Sequence, residues 1–242
     1  IPEIASGLYY GHAGNTGDAV LWGGDLGAAL DHLSGYQGHG SLAHPHGILI
    51  TWALMMEGGI QVNREGHRFS NEHGGYSEQA VHVLGQPDGI AWNIFDQRIH
   101  DFALSFPDYR DAMEAGAIRQ GGSVAGLARA TGLPADALDE TLQRVTALQA
   151  GEGADAFGRD FTGRPALKPP YFAVKVTGAL FHTQGGLVIN KKAQVLRPDG
   201  TAFANLFAGG GAAPARGPGG AAGRTGGRAR RASGPGRGST GT

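Results

Sequence analysis

Apolar positions recur along the chain with two different periods. Between Asp136 and Gln149 they fall at Leu138, Leu142 and Val145, the spacing that turns one face of a helix toward a core, and Pro134 stands just ahead, where a missing N–H costs least. Gly24 to Leu33 reads as a short helix with Leu26, Ala29, Leu30 and Leu33 on one face. Ile48 to Glu57 is apolar and also reads as helical, closed by Gly58-Gly59. Ile60–Asn63 reads as a strand, Arg64-Glu65-Gly66 as a tight turn leading to Arg68-Phe69, and Ile90–Phe95 as a further strand. From about Gln97 the pattern turns helical, and strand signals return at Tyr171–Val176, Gly186–Ile189 and Leu206–Phe207. This order predicts an α+β fold in which helices are inserted, as a cap, between strand-rich ends.

Composition narrows the chemistry. The 242 residues are 40% hydrophobic, enough for a core, and a formal net charge of -1 gives the whole chain no bias toward nucleic acid or an anionic membrane. No cysteine is present, so disulfides, thiolate metal sites and a cysteine nucleophile are excluded. No apolar run approaches the ~20 residues of a membrane helix, and the expected location is cytoplasmic. After Phe207 there is no large apolar residue, and after Asp199 no acidic one; Gly, Ala and Pro are mixed with arginines from Arg216 to Arg237. Residues 214–242 cannot bury enough apolar surface to offset their ordering entropy and are expected to be disordered. An Arg/Gly-rich nucleic-acid arm is one reading of that tail. A translated wrong reading frame is the other, favoured because no aromatic residue is interleaved for base stacking.

Four clusters carry candidate chemistry. Gly14-Asn15-Thr16-Gly17-Asp18 makes a turn that lets backbone approach a ligand, with Asp18 able to accept from a ribityl or ribose hydroxyl; an ordinary turn has the same composition. His39, His44 and His46, followed by Thr51, offer imidazoles and a hydroxyl to a carboxylate or carbonyl oxygen. The same histidines could form a metal or small-ligand module without redox activity, although no carboxylate lies nearby to orient them. Phe181-His182-Thr183-Gln184-Gly185-Gly186 presents one imidazole beside paired glycines, as a ligand turn or as a plain hairpin. Asn63 to Glu72 reads as a hairpin whose Arg64, Arg68 and Glu72 form a surface ion-pair group contributing little, and His73 to Tyr76 as a flexible loop carrying a phenol.

Thr16-Gly17-Asp18, His39, Thr51 twelve residues later, the run NREGHRFSNE, the run FHTQGGL and the run LFAGGG follow one another in this order. The ordered set, over about residues 8–213, resembles the fumarate reductase/succinate dehydrogenase flavoprotein family, which includes 3-ketosteroid dehydrogenases. The resemblance implies an oxidoreductase with FAD as cofactor and a small-molecule substrate, its electron partner unidentified. It implies cofactor contacts from Thr16, Gly17, Asp18, Gly185, Gly186, Gly209 and Gly210, and substrate contacts from His39, Thr51 and His182. It also implies a division into residues 1–47 and 179–213 of an α/β FAD-binding domain and a mobile cap over 48–178 that closes on the flavin.

The departures from that family alter the expected reaction. Trp52 stands where fumarate reductases carry a glutamate, Tyr76 where they carry the catalytic arginine, and Gly211 where many members carry a glutamate facing flavin. Tyr76, with His182, is the expected proton-transfer group, as tyrosines are in ketosteroid dehydrogenases. The expected reaction is therefore hydride addition or removal across an activated C–C bond of a carbonyl or carboxylate compound other than fumarate. The family's Gly-rich phosphate loop is not found ahead of Ile1, so the chain reads as part of a longer parent and is expected to be inactive alone.

Overall fold

The computed structural model describes residues 1–214; the tail expected to be disordered lies, from residue 215 on, outside the described residues. In chain order the elements are β1 (Leu8–Tyr9), α1 (Asp18–Asp25), β2 (Leu30–Asp31), β3 (Tyr36–Ala43), β4 (Ile48–Leu49), α2 (Ala53–Met56) and β5 (Ile60–Val62). Next come α3 (Tyr76–Leu84), β6 (Ile90–Asp96), α4 (Gln97–Ala103), α5 (Pro107–Glu114), β7 (Ile118–Gly121), α6 (Val124–Thr131) and α7 (Ala135–Gln149). The last are β8 (Tyr171–Thr183), β9 (Gly186–Leu187), β10 (Gln194–Leu196) and β11 (Ala202–Phe207).

The 13-residue strand β8 organises a seven-stranded sheet because each of its edges is used twice. On one edge β6 runs antiparallel from Ile90 opposite Thr177 to Asp96 opposite Tyr171, and β1 continues that edge in parallel, Leu8 opposite Ala179. On the other edge β7 pairs with Tyr171–Val174, and β3 pairs from Val176 to Thr183. β4 and β5 close the two sides beside β3 and β6. The run Tyr-Phe-Ala-Val at the start of β8 is buried throughout, as a strand covered on both faces must be. The principal core joins this strand to Ile94 and Phe95 of β6, Tyr109 of α5, Leu127 of α6, and Leu138, Leu142 and Val145 of α7. Each such fully buried side chain contributes on the order of 1.5–3 kcal/mol. β8 runs unbroken through residue 178, so residues 1–47 and 48–178 share one sheet. No helix among the described residues is long and apolar enough to cross a membrane.

Three local expectations are corrected. The helix expected over Gly24–Leu33 is instead α1, ending at Asp25; Gly27 turns the chain at φ 79, Leu30 pairs with Leu187 in the β2–β9 ladder, and Leu26 is 60% exposed. In Ile48–Glu57 only Ala53–Met56 is helical, because Ile48 and Leu49 fold back on Ala43 and Leu42 as a hairpin strand. Tyr76 does not ride on a flexible loop: it is the first residue of α3.

The charged hairpin is corrected as well. Arg64 does lie at the surface, against Glu65 and Asp88, but Arg68 and Glu72 are buried, with side chains 6% and 1% exposed. Arg68 grips Glu72 with Nε at 2.8 Å and Nη2 at 2.7 Å, and reaches Asp155 through Nη1 at 2.6 Å. Arg159 donates to the same Glu72 carboxylate at 3.1 Å and to the carbonyls of Gly59 and Met55 at 2.8 and 2.9 Å. Phe161 lies under both guanidinium groups, 4.9 Å from Arg68 and 4.5 Å from Arg159. Two cations and two anions balance, so removing one member strands a buried charge. Glu72→Ala is expected to cost about 3–5 kcal/mol, whereas Arg64→Ala at the surface costs under about 1 kcal/mol. Urea denaturation midpoints of the two variants give the comparison; equal small losses would return Glu72 to the surface class.

Candidate active site

The strand segment Gln37-Gly38-His39-Gly40-Ser41 lies at the centre of the site. Its glycines make room for α3. A Cβ on Gly38 would stand 2.8 Å from the Ala80 side chain, and one on Gly40 would stand 2.8 Å from the backbone of Gln79. Gly38 N–H is also held by Ser77 Oγ at 2.9 Å. Close approach of this helix brings its first residue, Tyr76, over His39.

His39 is 5% exposed and enclosed by rings. Tyr76 stacks on it at 5.2 Å between centroids, Phe181 stacks at 5.3 Å with an interplanar angle of 8°, and Trp52 meets it edge-on at 5.7 Å. Tyr10 extends the group behind Phe181. Nδ1 accepts the backbone N–H of Ser41 at 3.1 Å, so the neutral ring carries its proton on Nε2. Burial pushes this histidine down to about 4, which leaves the ring neutral near pH 7.

A glutamine joins the two proton-bearing groups. Gln37 lies between Tyr76 Oη, 2.9 Å from its amide nitrogen, and His182 Nε2, 2.8 Å from its amide oxygen. His182 Nδ1 sits 3.2 Å from the carbonyl of Thr183. Sequence reasoning passed over Gln37; the signal available was its place two residues before His39 in a strand, where i and i+2 share a face. His182, exposed at the end of β8, opens onto a cleft of about 630 Å³ also lined by Tyr9, Thr16, Gly17, Asp18, Gly185 and Gly211. Thr16 Oγ1 donates to Asp18 at 2.9 Å. A Cβ added to Gly17 or Gly211 would meet no protein atom within 4 Å, so those positions keep the wall of the cleft bare.

The other expected residues lie as follows. Gly186 is buried behind the wall, where a Cβ would meet the Ala212 carbonyl at 2.6 Å, and Gly209 and Gly210 immediately precede Gly211. Thr51 is brought near the rings only through its neighbour Trp52; its hydroxyl accepts the N–H of Ala53 at 3.3 Å, at the start of α2. Among the described residues no three His, Asp or Glu side chains are grouped to hold a metal.

The description FAD binding domain fits residues 2–228 as one family model. A Shewanella frigidimarina protein named "Probable fumarate reductase Ifc3" is 32% identical over 195 residues, covering 81% of this chain and 33% of that protein. A 3-oxosteroid 1-dehydrogenase of Mycobacterium tuberculosis is 33% identical over 238 residues, covering 83% of this chain and 41% of that enzyme. The open conformation of a flavocytochrome c3 fumarate reductase superposes with a TM-score of 0.71 at 29% identity, covering 88% of this chain and 37% of that one. The chain thus spans between a third and about two fifths of the length of the relatives it matches.

The buried neutral His39 has a consequence for stability. An unfolded imidazole titrates near 6.5 (approximately), and the folded ring is lowered to about 4. Between those values the unfolded chain binds more protons, so this contribution is complete above about pH 6.5 and is lost as pH falls toward 4. Denaturation midpoints at pH 7.5, 6 and 5 are expected to drop more steeply in the wild type than in His39→Gln. Identical slopes would mean that the ring is not held neutral by burial.

Proposed function

The chain belongs to the FAD binding domain family, and from that membership we propose that it forms the substrate-facing part of an FAD-dependent oxidoreductase acting beside a carbonyl group. In this reading residues 48–178 cap the substrate, while residues 1–47 and 179–213 belong to the flavin side. The observation that carries it is the ring-walled, uncharged surround of His39, joined through Gln37 to the cleft at His182. Trp52, Tyr76 and Phe181 supply flat apolar walls, and neither those rings nor the cleft lining includes a Lys or Arg. A dicarboxylate would be desolvated there without a permanent counter-charge, whereas a neutral enone or cyclic ketone needs only hydrogen-bond donors at its oxygen.

The cleft residues fit the flavin and ribityl part of FAD. Asp18 and Thr16 offer an acceptor and a hydroxyl for polyol groups, and the bare glycines 17 and 211 leave room for a planar ring system. When bound, FAD supplies acceptance or donation of a hydride. The chain's own side chains do the remaining work. His39 presents Nε2–H to the substrate oxygen, which favours charge developing there, while His182, with Nε2 on Gln37 and Nδ1 at the Thr183 carbonyl, anchors Gln37 beside it and has no ring N–H to spare for the substrate. Tyr76 takes or returns the proton on the carbon next to that carbonyl, its ring held in place by the His39 stack and its oxygen by Gln37. Enclosure by Trp52 and Phe181 keeps water from the reacting carbons.

In the flavin-loaded enzyme Tyr76→Phe is expected to keep its full FAD content, read from the visible spectrum, and to lose turnover by about 10²–10⁴-fold. Turnover equal to wild type would remove Tyr76 from the proton-transfer role. Across substrates, neutral α,β-unsaturated or saturated cyclic ketones are expected to give higher kcat/KM than four-carbon dicarboxylates; the reverse order would contradict the carbonyl reading.

A further inference from the structure

A buried network of uncharged polar side chains runs from the ion cluster to His39. Gln61 in β5, Asn93 in β6, Ser41 in β3 and Gln79 in α3 are each at most 1% exposed, yet all four are hydrogen-bonded to one another or to the backbone between them. Gln61 N–H donates to Glu72 at 3.1 Å, and Gln79 donates to Ser70 at 2.6 Å and to Gln61 at 2.8 Å. Gln61 Nε2 then donates both to the Gly40 carbonyl and to Asn93 Oδ1, each at 2.8 Å. Asn93 Nδ2 in turn donates to Ser41 Oγ at 2.7 Å.

The two residues this network grips, Gly40 and Ser41, lie where the β3–β8 register slips. His39 faces Ala179 and Leu42 faces Thr177, so two residues of β3 stand opposite one of β8. That bulge turns Ser41 N–H back onto His39 Nδ1 at 3.1 Å instead of into the ladder. A buried amide in a sheet is costly unless its donors and acceptors are met, and here each amide is spent on the bulge or on a neighbour that holds it. An apolar side chain at 61 or 93 would leave the buried partners of these amides unmet and could not hold Gly40 and Ser41.

We propose that Asn93 and Gln61 are positioning residues for His39: by pinning the Gly40–Ser41 bulge they keep Ser41 N–H on Nδ1 and so fix the tautomer that carries its proton on Nε2. The proposal rests on the reading of His39 as a substrate-binding residue only for its consequence in catalysis; the tautomer itself is independent of substrate. The backbone N–H of Ser41 can only donate, so the tautomer follows from the bulge and not from any titrating partner.

The test is long-range proton–nitrogen NMR of the His39 ring at pH 7, assigned by difference with His39→Gln, in wild type, Ser41→Ala, Asn93→Ala and Ser70→Ala. Wild type and Ser70→Ala, which loses a polar contact at the far end of the network, are expected to show one Nε2–H ring. Ser41→Ala and Asn93→Ala are expected to show nitrogens averaged between the two tautomers. Should Asn93→Ala fail to fold, Ser41→Ala decides, since it keeps the backbone N–H and removes only the hydroxyl that Asn93 holds. A single Nε2–H ring in a folded Ser41→Ala overturns the proposal. In the flavin-loaded enzyme the same variants are expected to raise KM about tenfold, the size of one lost hydrogen bond, at unchanged FAD content. An averaged tautomer with unchanged KM would leave the positioning role standing and overturn the substrate role of His39 instead.

Discussion

The packing that surrounds His39 depends on one buried carboxylate. Glu72 accepts from Arg68, from Arg159 and from the N–H of Gln61, and so ties together the hairpin after β5, the segment around Asp155 to Phe161, and β5 itself. The tie joins parts of the chain that no local rule would bring together: Arg159 and Glu72 are 87 residues apart. Their charges cancel within the group, which makes the burial tolerable, and the geometry is specific because a bidentate pair fixes direction as well as distance. Such a pair contributes more to uniqueness of arrangement than to net stability. It holds β5 where Gln61 can reach Gly40, and α3 where Tyr76 can reach His39.

The chemistry at the other end of that chain is governed by enclosure. His39 has Tyr76 and Phe181 stacked on it and Trp52 at an edge, and it receives no charge-bearing contact among the described residues. A histidine in such surroundings is a fixed dipole and not a cation. It can orient an oxygen and favour negative charge growing on it, while being a poor counter-ion for a carboxylate that is already charged. Trp52 and Tyr76 point the same way, because each brings a ring and no charge to this surround.

Much of this was legible in the sequence, in unequal measure. The strands at Ile90 and Tyr171 and the helix at 135–149 were clear because long periodic segments commit one face to a core, and tertiary packing agrees with them. The ordered motifs gave the family and its cofactor, since several short runs spread along the chain agreed in order. The helix at Gly24 was misplaced because apolar spacing says nothing about Gly27, whose positive φ turns the chain. Arg68 and Glu72 were taken for surface charges because burial is not a local property: Asp155 and Arg159, which complete the group, come from the segment after α7. Gln37 went unnoticed for the same reason. A glutamine in a strand carries no charge to draw attention, and its partners stand 39 and 145 residues away.

Gln37 also shows why the proton inventory of the site is a collective property. With the amide nitrogen toward Tyr76 and the oxygen toward His182, His182 donates from Nε2 and the tyrosine oxygen accepts. Reverse the amide and the bonds remain satisfied: tyrosine donates to the amide oxygen, the amide donates to Nε2, and the proton of His182 sits on Nδ1. The orientation of one uncharged side chain and the positions of the protons on its two neighbours are therefore a single variable. A proton leaving or returning through Tyr76, as proposed for it, meets a neighbour that can pair with either arrangement without leaving a donor or acceptor unmet. A charged residue at position 37 would favour one arrangement; the glutamine accommodates both.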